Sequence, residues 1–165
     1  MKALIKFMFI LMFLSLIENL HASGCTPDSY YYNIIQKKKW KLVQVQDGFV
    51  NIEFNRLNMS MNGKGKYFTI DLCEEYISGR AVQSEFKTPY IISGNSRGDF
   101  NITEIDKNTV SSETEYNGIS EDRYYNYLNK VKRWWLYRDS ILKKWKFYLI
   151  IENENKSEAI LTYGY

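Results

Sequence analysis

The chain has 165 residues, of which 25% are charged and 45% hydrophobic, a balance that suits one globular domain and excludes a disordered or low-complexity polypeptide. Two prolines and nine glycines exclude collagen-like and linker-rich architectures, and a net charge of +3 demands no polyanionic partner. There is a single histidine, His21, and it lies close to the start of the chain.

Residues 1–6 carry Lys2 and Lys6, and residues 7–17 (FMFILMFLSLI) form an apolar run. A membrane span needs about 20 such residues, so this run has the length of a secretory signal core. Polar residues 18–21 lead to Ala22-Ser23-Gly24-Cys25. Small residues before a cysteine resemble a lipobox, in which Cys25 is acylated and becomes the new N-terminus. Ala22 and Gly24 also suit an ordinary signal-peptidase site, which would leave a soluble secreted or periplasmic protein. We therefore expect a signal peptide over residues 1–24, lipidation at Cys25, and a cell-envelope protein held on the membrane by that anchor. With Cys25 acylated, Cys73 is read as a small buried residue in a strand. With Cys25 unmodified, a Cys25–Cys73 disulfide is open to a chain outside the cytosol.

Cleavage after residue 24 removes two lysines and one glutamate, lowers the charge from +3 to +2, and leaves 141 residues without histidine. Ser-His-Asp and Cys-His catalysis, histidine zinc sites and a histidine pH switch are thereby excluded from the mature chain. An enzyme would have to work through Asp, Glu, Lys or Tyr.

Residues 25–38, with Pro27 and Tyr30-Tyr31-Tyr32, read as a tether, and residues 39–165 as the domain. From Trp40 onward the pattern is mostly period two, which marks half-buried strands. A first strand is expected over 39–45, with a bulge. Ile52, Phe54, Leu57, Met59 and Met61 suggest a second and a bent third, before an Asn62-Gly63 turn. Further strands are expected over 68–73, 76–82, 86–92, 98–105 and 109–116. Residues 120–132 break the alternation: Tyr124, Leu128 and Val131 have helical spacing, Glu121 and Asp122 open the segment, and Lys130, Lys132 and Arg133 close it. Strands then resume over 134–139, 142–151 and 159–163. The fold class predicted is mainly β, a barrel or roll of antiparallel strands with one packed α-helix.

This order resembles the META (HslJ-like) domain family over residues 39–163. The resemblance is carried by Trp40-Lys41-Leu42-Val43, by Tyr76-Ile77-Ser78-Gly79-Arg80-Ala81 with Phe86 and Tyr90, and by Thr109-Val110-Ser111. Glu121, Tyr125 and Leu128, then Val131, Trp135 and Leu142, follow, and Ile160-Leu161-Thr162-Tyr163 ends it. The chain has Val82-Gln83-Ser84 where the family often has Gly-Cys-Asn, and Ser112 near the place of a second frequent cysteine. The resemblance implies a compact β-barrel-like domain of exported or envelope proteins, sometimes linked to stress, antibiotic tolerance, secretion or virulence, with no known catalytic activity.

Among candidate sites, Trp134-Trp135 is the most informative, because alternation sends one ring inward and the other outward. The resemblance places Trp135 in the core. Trp134 is then expected at the surface with Arg133, Lys132 and, nearby, Trp145, as a contact surface for an envelope partner, a glycan or lipid headgroups, the alternative being that it packs under the helix or a loop. Lys37-Lys38-Lys39 and Lys143-Lys144-Lys146 interleave with Trp40 and Trp145, a pattern also seen in single-strand nucleic-acid binders. Export and a charge of +2 speak against that, so no nucleic-acid partner is expected, and the first cluster could rest on anionic lipid headgroups. Glu74-Glu75 and Glu152, Glu154 and Glu158 lack EF-hand spacing, so no metal or cofactor is expected. Sequons stand at Asn58, Asn101 and Asn155. The function expected is non-catalytic binding. The alternatives are a lipocalin-like carrier of a small apolar ligand and a histidine-free envelope hydrolase.

Overall fold

The computed structural model describes residues 29–36, 38–54, 67–105, 115–152 and 158–165. The expected signal peptide, Cys25, Met59, Met61, the Asn62-Gly63 turn, most of the strand at 109–116, and Glu154 lie outside the described residues. Among the described residues, eleven strands and two helices follow in chain order. They are α1 (Ser29–Gln36), β1 (Lys39–Asp47), β2 (Val50–Glu53), β3 (Thr69–Leu72), β4 (Tyr76–Arg80), β5 (Glu85–Ile92), β6 (Arg97–Ile102), β7 (Glu115–Tyr116), β8 (Ile119–Ser120), α2 (Glu121–Asn129), β9 (Val131–Arg138), β10 (Trp145–Glu152) and β11 (Glu158–Gly164).

The sheet runs β11-β10-β9-β6-β5-β4-β3-β1-β2 and closes through β11 onto β1, from Lys41↔Gly164 to Asp47↔Ala159. Eight of these strands form an antiparallel barrel, as the alternation predicts, and β2 extends the wall from β1. The expected bulge in the first strand is present, between Leu42 and Gln44. It explains why Trp40, Leu42 and Val45 all point inward although the last step is three residues.

A barrel of eight strands is just wide enough to be filled by its own side chains. Here Phe147 is the hub, with ring centroids 5.4 Å from Trp40, 6.2 Å from Phe100 and 6.0 Å from Trp134. Ile70, Leu72, Ile77, Leu136, Leu149, Leu161 and Tyr163 complete the filling, all buried.

Both ends of the barrel are covered by helices. At one end α1 buries Ile35, whose carbonyl accepts from Trp40 Nε1–H at 2.8 Å, and sets Tyr31 edge-on to Trp145 with centroids 6.4 Å apart. Residues 29–36, within the segment read as a tether, thus form a helix docked on the core. At the other end α2 buries Tyr124, Tyr125 and Leu128. Tyr124 packs tilted against Phe68 with centroids 4.9 Å apart, and Tyr125 meets Phe86 edge-on at 5.5 Å. The helix expected over 120–132 stops at Asn129. Lys130 N–H donates to the Tyr127 carbonyl, and Val131 already belongs to β9.

Candidate functional site

The outer wall of β6, β9 and β10 carries a cluster of exposed aromatic rings. Its phase depends on a second bulge. Ile150 pairs with Arg133 but Ile151 pairs with Val131, so Lys132 is an extra residue in the ladder. Counting by two from Val131 would turn Arg133 and Trp135 inward. The extra residue shifts the phase by one, and Trp134 and Leu136 turn inward instead.

The expected orientation of the tryptophan pair is thus reversed. Trp134 is 1% exposed and donates its Nε1–H to the Ser93 carbonyl at 2.8 Å, while Trp135 is 45% exposed. The other expected contact residues do not gather around Trp134 either. Arg133 is held by two carboxylates, Glu152 at 3.2 Å and Glu158, so it is no free cation on this wall. Lys132 is exposed at the start of β9. Trp145 pairs with Arg138 at the other end of that strand, half-buried beneath the Arg138 guanidinium at 5.8 Å.

What the wall does present is a cluster centred on Trp135. Its ring lies 5.5 Å from Tyr148 and 6.0 Å from Tyr137, and Arg97 is its cross-strand neighbour on β6. Beside it runs an open groove of about 510 Å³ lined by Arg97, Asp99, Arg133, Trp135 and Ile150. The Tyr148 phenol is pushed up from its ordinary pKa, first by burial against these neighbours.

A second, more polar groove of about 680 Å³ lies on the wall of β3, β4 and β5, between Lys39, Asp71, Arg80, Glu85 and Lys87. Its floor is Gly79, where a Cβ would lie 2.0 Å from the Thr69 carbonyl oxygen, so β3 and β4 approach there as only glycine permits. Charges of both signs line it, and Arg80 and Glu85 are paired at 3.9 Å.

Three features of the structure escape a sequence reading. Glu121 is fully buried, and its Oε1 accepts the backbone N–H groups of Val82 at 2.7 Å, Gln83, and Ser84 at 3.0 Å; Ser84 Oγ–H donates to Oε2 at 3.0 Å. Val82-Gln83-Ser84 thus forms a cup of N–H donors for a carboxylate from α2. Tyr125, whose phenol lies 2.8 Å from Ser84 Oγ, is pushed up in pKa by burial. Cys73, expected in a buried strand position, is exposed just past β3. Its carbonyl accepts from the Tyr90 phenol at 2.7 Å, and Tyr32 of α1 donates to the Glu74 carbonyl at 3.0 Å. Glu74 and Glu75 are exposed in that turn, and no cluster of three metal-ligating side chains occurs among the described residues. Comparison of the chain with protein-family models, with curated proteins and with solved structures returns no match.

Proposed function

We propose that this chain is an exported, lipid-anchored cell-envelope protein whose META-like β domain works by binding a partner protein. The observation that carries the binding role is the Trp135 cluster, with Tyr137, Tyr148 and Arg97, held on the outside of a barrel whose interior is occupied by its own side chains. Trp, Tyr and Arg are the residue types that dominate protein-binding hot spots. The packed centre around Phe147 and the helices over both ends give little support to a carrier. The absence of histidine after residue 21 weighs against a hydrolase. Export and anchoring rest on the sequence of residues 1–25.

A photo-crosslinking residue placed at position 135 in living cells tests the binding role. A discrete adduct from position 135, absent when the same residue replaces Phe49 at the far end of the barrel, is the expected result. No discrete adduct from position 135 would reject this surface. Acylation is tested by the intact mass of protein purified from the membrane fraction, where an unmodified Cys25 would reject the anchor.

A further inference from the structure

The turn between β9 and β10 holds two apolar side chains out in solvent by a rigid device. Asp139 Oδ1 accepts the backbone N–H groups of Ile141 at 2.9 Å and Leu142 at 2.8 Å, and Asp139 N–H donates to the Lys144 carbonyl at 2.8 Å. Those two N–H bonds hold the Asp139 carboxyl below its ordinary pKa. Lys143 closes the turn in the left-handed region, at φ 55°. Ile141 is left 87% exposed and Leu142 63% exposed.

Cations surround this tip. Arg138, Lys143 and Lys144 are exposed, and Lys146 is half-buried, against Asp139 as the one acid in the turn. The exposed acidic pair Glu74-Glu75 stands on the same rim, in the β3–β4 turn bonded to Tyr32 of α1, and the strand order sets it four strands away around the barrel. Amphipathic aromatic rings lie at the same end. Trp145 follows the turn, Tyr31 of α1 packs on it, and Tyr165 carries Lys38 Nζ 3.6 Å above its ring. On the anchored reading the mature chain begins at Cys25, four residues before Ser29 of α1, which lies at this same end.

We propose that this end of the barrel docks on an anionic lipid surface, with Ile141 and Leu142 entering the acyl boundary and the surrounding lysines and arginine on the headgroups. Apolar side chains in a basic ring with flanking Trp and Tyr have the composition that favours a bilayer interface. The entry of the chain at this same end orients the domain to match. The inference deepens the membrane-anchored reading and rests on it for access to a bilayer.

The test uses the full chain carrying Cys25→Ser and Cys73→Ser, with an environment-sensitive fluorophore on a single cysteine introduced as Leu142→Cys or, as control, Phe49→Cys. Because residues 7–17 could adsorb by themselves, the readout is depth at each position and not binding. On vesicles of equimolar phosphatidylcholine and phosphatidylglycerol, the label at 142 is expected to shift to the blue and lose its quenching by aqueous iodide. The label at 49 should keep its emission in water. Adding Ile141→Ser and Lys143→Ser, Lys144→Ser to the 142-labelled chain should abolish the shift. A label at 142 that stays in water on these vesicles, or equal shifts at 142 and 49, overturns the inference. A water-exposed 142 together with an acylated Cys25 would discard the docking and leave the anchor. A buried 142 with an unmodified Cys25 would do the reverse.

Discussion

Glu121 shows how one side chain ties distant segments together. A buried carboxylate is tolerated only when its oxygens are satisfied, and here three backbone N–H groups and one hydroxyl do so. Glu121→Gln keeps the shape but loses the charge, and should lower stability by about 1.5–3 kcal/mol, the scale of hydrogen bonds to charged groups. A urea-denaturation midpoint measures it, and an unchanged midpoint would refute the role. The two tryptophans separate in the same assay. Trp134→Ala should cost about 3–5 kcal/mol as a core truncation, and Trp135→Ala about 1 kcal/mol or less as a surface change. Tyr127 sets an alkaline limit. Its phenol, buried and donating to Asp47 at 2.7 Å, is pushed up to about 12. Unfolding releases it to about 10, so between those values the unfolded chain binds fewer protons and stability falls as pH rises, by up to about 1.4 kcal/mol per unit. Tyr127→Phe should flatten that fall when midpoints are compared across pH 10–12. None of these three roles could be read from sequence. Glu121 has the look of an ordinary first-turn acid, and the phase of the tryptophans hangs on Lys132, whose bulge shows only once Ile150 is paired with Arg133 and Ile151 with Val131.

The two helices were legible to different degrees, for a physical reason. α2 writes its own start: Ser120 caps it, its Oγ accepting from Arg123 N–H at 3.2 Å, and Glu121 and Asp122 occupy the first turn. Ser120→Ala should cost about 1 kcal/mol by the same denaturation assay. α1 has no acid in its first turn and no base in its last, and three tyrosines in succession favour strand over helix. Eight residues are also too few to be helical alone in water. It is helical because Ile35, Tyr31 and Tyr32 find partners on the barrel end, which no local pattern records. Ile35→Ala should therefore destabilise by about 2–5 kcal/mol and undock α1, seen as faster hydrogen exchange at Trp40 Nε1–H. An unaltered exchange rate would show that the helix is held by something else.

At the scale of the molecule, alternation made the strands countable, and the expected positions of β3, β5, β10 and β11 lie within a few residues of those observed. The order of strands was not legible. β6 pairs with β5 through Phe100–Ile102 and with β9 through Arg97–Asp99, passing over β7 and β8, which form a separate two-stranded ribbon. Such pairings are fixed by which inward side chains meet around Phe147, a property of the assembled wall.

Closure of that wall joins its first strand to its last, with Leu42 opposite Tyr163 and Val45 opposite Leu161. During synthesis β1 is made early but has no second neighbour on that side until residues 159–164 leave the ribosome. The nascent chain can form hairpins and cannot finish a barrel, since the long-range pairing needed comes at the end. A seam between the first and the last strand of the barrel therefore makes closure its longest-range pairing, possible only once every other strand of the wall exists.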